Sequence, residues 1–202
     1  MEERKRELKG SKGRGSMGVI RPQVGVLTTY EERIPERVKR LAYELGRELA
    51  KRGYVVITGG DGGLMREVAR GVVEAGGISV GVLSHELARV PEGHPLHNPY
   101  LTVRIKAEIT YEGRSTIVVA SSDVLIVLAG GVGTLVEVAM AYSMGKPIVV
   151  LEGSGLLADR LREMFPEGYL DHRRIIKLRF VRSVQEALGA VEEILGELGI
   201  RA

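Results

Sequence analysis

Hydrophobic and polar positions along the chain alternate between two periods. Short, largely apolar runs rich in Val, Ile and Leu recur at 24–28, 54–58, 78–83, 101–105, 123–128, 147–151 and 175–181. Runs of that length are predicted to be strands, with 54–58 buried and 123–128 central in the sheet. Between them lie stretches with apolar residues at helical spacing, such as Leu41, Leu45 and Leu49 within 35–52. Further helices are predicted over 64–75, 114–121, 134–144 and 156–164, with a closing helix opened by Ser183 and Glu186 at capping-box spacing. Gly53, Gly76-Gly77 and Gly145 supply the helix stops. Strand then helix, repeated, implies an α/β fold of the doubly wound, Rossmann-like kind: a mostly parallel sheet with helices on both faces. The stretch 84–100 holds three prolines and neither period, so it is expected to be a long surface loop and a candidate lid.

Composition narrows the picture. The 202 residues are 44% hydrophobic and 27% charged, which fits one folded domain over 17–202 with no break dividing it. The net charge of +3 is concentrated in the first sixteen residues, where six cations face three anions. We read residues 1–16 as a flexible basic arm, so nucleic acid becomes a weak expectation for a body that is otherwise neutral. With no cysteine there is no disulfide framework, thiolate nucleophile or cysteine-ligated metal site. No apolar run approaches the roughly 20 residues that span a bilayer, and a cytoplasmic location without membrane association is expected.

Two segments share one design: an apolar strand, a glycine-rich turn, then a helix. The first turn is Gly59-Gly60-Asp61-Gly62-Gly63 and the second Gly130-Gly131-Val132-Gly133-Thr134. A turn without side chains lets backbone N–H groups converge, and the helix behind it adds unpaired donors with partial positive charge. Two such turns at the carboxyl ends of strands are expected to hold a phosphate and the sugar attached to it. Neither is a Walker A loop or a dinucleotide fingerprint, which disfavours an ATPase or an ordinary NAD enzyme.

"GGDGGLM" followed by "ARGVVEAGG", and later "AGGVGTLVE", resemble the paired GGGxxGLM and PGGxGTxxE motifs of the LONELY GUY-like family, long mislabelled as lysine decarboxylases. The likeness covers about residues 24–151. Related groups are molybdenum-cofactor carrier proteins and the Smf-like domain of DNA-processing proteins. Proven members are phosphoribohydrolases, which split a nucleoside 5′-monophosphate into base and ribose 5-phosphate. The resemblance makes Arg114 and Glu137 the catalytic pair. It requires no cofactor, though molybdenum cofactor or a nucleotide is implied as a ligand. Three departures bring the pattern closer to the carrier and Smf-related branch. Ala129 replaces the leading Pro of the second motif, Tyr111-Glu112-Gly113-Arg114-Ser115 replaces a His-Glu-Arg-Lys segment, and Thr28-Thr29 replaces Gly-Ser after the first strand.

Each candidate also has a purely structural alternative. Thr134 and Glu137 have capping-box spacing, Arg114 could pair locally with Glu112, and Asp61 is either a ribose ligand or a turn residue. His85, His94 and His97 lie in the proline-rich stretch without a helix to align them, so no metal site is expected. The helix from Thr134 is apolar almost all round, which points to a homodimer unless one chain buries it completely. The sequence thus leads to a Rossmann-like protein with a phosphorylated nucleotide-type or pterin-type ligand, and N-glycosidic hydrolysis as its candidate activity. A non-catalytic carrier and a DNA-binding module are the alternatives.

Overall fold

A computed structural model describes residues 20–200; the basic arm at 1–16 lies outside the described residues. Seven strands form one sheet: β1 (Gln23–Leu27), β2 (Val55–Thr58), β3 (Ile78–Leu83), β4 (Val103–Lys106), β5 (Val124–Leu128), β6 (Ile148–Leu151) and β7 (Arg179–Val181). Every pairing is parallel and the spatial order is β4-β3-β2-β1-β5-β6-β7. The helices are α1 (Glu36–Lys51), α2 (Gly63–Glu74), α3 (Tyr111–Ala120), α4 (Val132–Ser143), α5 (Leu156–Met164) and α6 (Val184–Glu197). The fold is doubly wound α/β. Strands β1, β2 and β5 are buried almost throughout, because one core packs α1, α2 and α6 on one face and another packs α3, α4 and α5 on the other.

The chain builds outward from β1 to the edge strand β4, then returns to place β5 on the other side of β1. That reversal opens a crevice beyond the carboxyl ends of β1 and β5, where a doubly wound sheet receives ligands. Local chemistry fixes the elements that border it. Helix α3 begins three residues before its predicted start because the Thr110 hydroxyl accepts from the Gly113 amide at 3.2 Å, a helix N-cap. Helix α4 begins two residues early, behind Gly131.

At the far edge, only Arg179–Val181 of the strand predicted over 175–181 pairs with β6. The preceding residues spend their donors elsewhere, Ile175 N–H on the Tyr142 hydroxyl and Leu178 N–H on the Gly168 carbonyl. Helix α4 is not completely enclosed within the chain: Thr134, Val138, Ala141 and Tyr142 are buried, whereas Val132, Val136 and Met144 are exposed.

Candidate functional site

A cavity of about 430 Å³ lies at the β1/β5 reversal. The second glycine turn forms one wall, through Gly131, Val132, Gly133 and Thr134. Among the described residues no side chain caps α4, and its first ladder bond runs from Leu135 N–H to the Gly131 carbonyl, so the amides ahead of it have no acceptor among those residues. The alternative capping box between Thr134 and Glu137 does not form. Thr134 turns its hydroxyl to the Thr28 carbonyl at 3.1 Å, and Glu137 accepts from the Ser115 hydroxyl at 3.0 Å. Beside them the Thr28 hydroxyl, on a residue 8% exposed, has no hydrogen-bond partner among the described residues.

The turn is held from behind. Ala129 and Gly130 offer their carbonyls to the Ala158 and Leu157 amides, each at 3.0 Å, in the first turn of α5. Gly130 therefore shapes the turn without lining the cavity. Ala129 has φ +54° and donates its N–H to the Ser154 hydroxyl at 2.8 Å. Proline could do neither, since its ring fixes φ near −65° and it has no N–H, which accounts for the alanine at this motif position.

The first glycine turn is closed. It is buried from Gly59 to Gly63, and only Gly59 reaches the cavity. Gly60 N–H donates to the Thr58 hydroxyl, Gly62 N–H to the Asp61 carboxylate, Gly63 N–H to the Glu32 carboxylate and Leu64 N–H to the Thr29 carbonyl. The protein itself thus occupies the donors that would have met a phosphate. The candidate lid packs behind this turn: Asn98 donates to the Asp61 carbonyl at 3.2 Å and Arg66 to the Pro95 carbonyl at 3.1 Å. No residue of 84–100 lines the cavity.

Arg114, 7% exposed, reaches from α3 to the carbonyls of Gly59 and Val82. Its carboxylate partner is Asp61, 3.8 Å away, rather than the neighbouring Glu112. Burial pulls the guanidinium below its ordinary pKa, against Asp61, Tyr111 and Glu137. Asp61 is fully buried, and burial holds its carboxyl above the usual value against the Gly62 amide, Arg114 and the Tyr111 hydroxyl. That hydroxyl donates to Asp61 at 3.1 Å. Across the cavity wall, burial pushes Glu137 up to about 7, opposed by the Ser115 hydroxyl and Arg114. Arg114 and Glu137 therefore border one cavity, with Ser115 adjoining both.

Ser115, Tyr111 and Thr28 also border this cavity, although no motif marks them as site residues. Their signal in the sequence is that they stand at positions that depart from the family motifs. Among the described residues no cluster of three or more His, Asp or Glu could hold a metal ion, and no helix is long and apolar enough to cross a membrane.

Residues 21–188 match the model of the SLOG cluster 4 family. The chain belongs to that family. A relative from Mycobacterium tuberculosis, named cytokinin riboside 5′-monophosphate phosphoribohydrolase, is 33% identical over 161 residues, 74% of this chain and 83% of its own length. The molybdenum cofactor carrier protein of Chlamydomonas reinhardtii has the same fold, with a TM-score of 0.70 at 27% identity over 88% of this chain and 99% of its own. DNA processing protein A of Helicobacter pylori shares the fold alone, at TM-score 0.63 and 17% identity, over 85% of this chain and 80% of its own. The LONELY GUY-like resemblance thus holds at the level of the family.

Proposed function

We propose that this SLOG protein binds a nucleoside 5′-monophosphate in the β1/β5 cavity and hydrolyses its N-glycosidic bond. The observation that carries the reading is the joining, in one cavity, of free α4 amides and the unpartnered Thr28 hydroxyl with Arg114 and Glu137. The phosphate sits on the Val132, Gly133 and Thr134 amides, where the helix dipole favours negative charge. Glu137 then faces the ribose, and its carboxylate stabilises positive charge developing at C1′. The C1′–N bond breaks with its electron pair leaving on the base, and water supplies the oxygen that bonds C1′. One water proton, accepted first by Glu137, ends on the base. Arg114 polarises the departing base through its cavity-facing edge. The identity with the mycobacterial phosphoribohydrolase supports this reaction class.

Incubation with AMP and the other nucleoside monophosphates, followed by chromatography for free base, tests the proposal. Base release that is lost in Glu137→Gln is expected, and no release from any monophosphate would overturn it. A carrier reading draws support from the molybdenum cofactor carrier's fold and from Ser115, which puts a neutral partner on Glu137 where the hydrolase pattern has Lys. It expects pterin-type ligand binding that is unchanged in Glu137→Ala.

The exposed stripe Val132, Val136 and Met144 on α4 supports a twofold dimer through this helix. Sedimentation at micromolar concentration should give twice the monomer mass.

A further inference from the structure

Tyr111 occupies an unusual position for a cavity-wall aromatic, because its ring is fixed on two sides before any ligand arrives. It is the first residue of α3, a helix whose start the Thr110 cap defines. Its hydroxyl donates to Asp61, a carboxylate with no exposure of its own. The Arg114 guanidinium stands over the ring, 4.5 Å from its centroid. Burial and the adjacent Asp61 hold the phenol above its ordinary pKa, so it stays a neutral donor.

From this geometry we infer that Tyr111 is the platform on which the planar heteroaromatic ring of the ligand stacks, with Asp61 and Arg114 as its positioning residues. The inference rests on the reading of this cavity as the site of a phosphorylated ligand and adds what selects the ligand's other end. Three features support it. The ring borders the same cavity as the free α4 amides, so one ligand can span both. Apolar side chains of Val26, Met65, Val132 and Val136 share that cavity, a lining suited to a flat, weakly hydrated ring. An aromatic already held by a hydrogen bond and a cation–π contact loses little freedom when a base stacks on it. Asp61 acts here through the tyrosine, whose hydroxyl it holds. The recognised chemistry is a phosphorylated group bearing a planar nitrogen heterocycle, and a nucleobase or a pterin could supply it.

The test compares ligands with and without the ring. Carbocyclic AMP lacks the ribose ring oxygen that assists cleavage and so is not consumed; ribose 5-phosphate lacks the base; a pterin monophosphate supplies the other heterocycle. Titration calorimetry on the full chain should show the ring-bearing ligands binding more tightly than ribose 5-phosphate. Tyr111→Leu should remove about tenfold of that affinity, the scale of one stacked base, and leave ribose 5-phosphate unchanged. Tyr111→Phe should keep most of the increment. If the leucine variant does not fold, the wild-type protein still decides: with ¹³C-tyrosine, the Tyr111 ring resonance should move on adding the ring-bearing ligand and stay in place with ribose 5-phosphate.

An increment with the pterin alone keeps the platform and ends the nucleotide reading. Equal affinities for all three ligands, with no ring shift, overturn the platform and leave the phosphate site standing. Binding of none of them overturns both.

Discussion

The two glycine turns look alike in sequence and do opposite things. Both follow a buried strand and open a helix, yet Gly59 to Gly63 are enclosed while Gly131 to Gly133 are exposed. The difference lies in what meets the helix amides. At α2 the chain supplies its own acceptors, the Glu32 carboxylate and the Thr29 carbonyl from the segment after β1. At α4 no acceptor among the described residues does so. A glycine-rich turn is therefore a ligand site only where the rest of the fold leaves its donors unclaimed; elsewhere the same pattern joins two parts of the protein. The first turn serves the cavity indirectly, since Gly59 leaves room for Arg114, whose guanidinium lies 2.9 Å from where a Cβ would stand.

The largest expected effect assigns chemistry to the open side. Glu137→Gln should lower kcat for base release by about a thousandfold, in the range of lost general-base and electrostatic assistance. In the unaltered protein kcat/KM should rise with pH and level off above about 7, where Glu137 is ionised. A profile flat from pH 5 to 8 would remove the carboxylate from the reaction.

The next effect separates the turns by stability. A Cβ on Gly63 would meet the Tyr30 backbone at 2.4 Å, at φ +55°, whereas one on Gly133 meets nothing within 4 Å. Gly63→Ala should cost about 3 kcal/mol, roughly 6–12 °C in Tm for a chain of this size. Gly133→Ala should leave Tm unchanged or slightly higher, yet weaken phosphate-ligand affinity by about tenfold as the methyl crowds the amides. Equal losses of stability would erase the contrast.

A smaller effect concerns the cost of the open site. Glu137 is held above its unfolded value of 4.5, so its ionised form opposes folding. Its favourable contribution is complete below that value and is lost as pH rises through about 7. Glu137→Gln should therefore raise stability by ~1 kcal/mol at pH 8, discounted for partial exposure, and by almost nothing at pH 4. Urea unfolding at the two pH values measures it.

Smallest of all, Glu32→Gln should cost about 0.5 kcal/mol through a weakened helix-dipole contact, more at low salt than at high. A large loss there would mean that the latch on the first turn matters more than its exposed position allows.

The alternation of strands and helices could be read directly because apolar runs and helical repeats reflect burial, and the sheet buries nearly every residue of β1, β2 and β5. The 175–181 run misled, since its apolar residues pack without forming a ladder beyond Arg179–Val181. At the site, Arg114, Glu137 and the Gly131 to Thr134 part of the second turn border one cavity. What local spacing could not convey was pairing across long separations. Arg114 finds Asp61 instead of Glu112, Glu137 finds Ser115 instead of a capping bond, and the 84–100 loop folds behind the first turn. Each outcome depends on how the strands and their helices are ordered across the sheet, a fact of topology carried by no single segment.

The hold of α5 on the second turn places part of the site's control outside it. With the Ala129 and Gly130 carbonyls drawn backward by the Ala158 and Leu157 amides, the aim of the turn becomes a property of a helix that does not line the cavity. On the proposed function, a fraction of an ångström of slippage there would retune the grip on an anion, a dial for affinity that spares every residue lining the cavity.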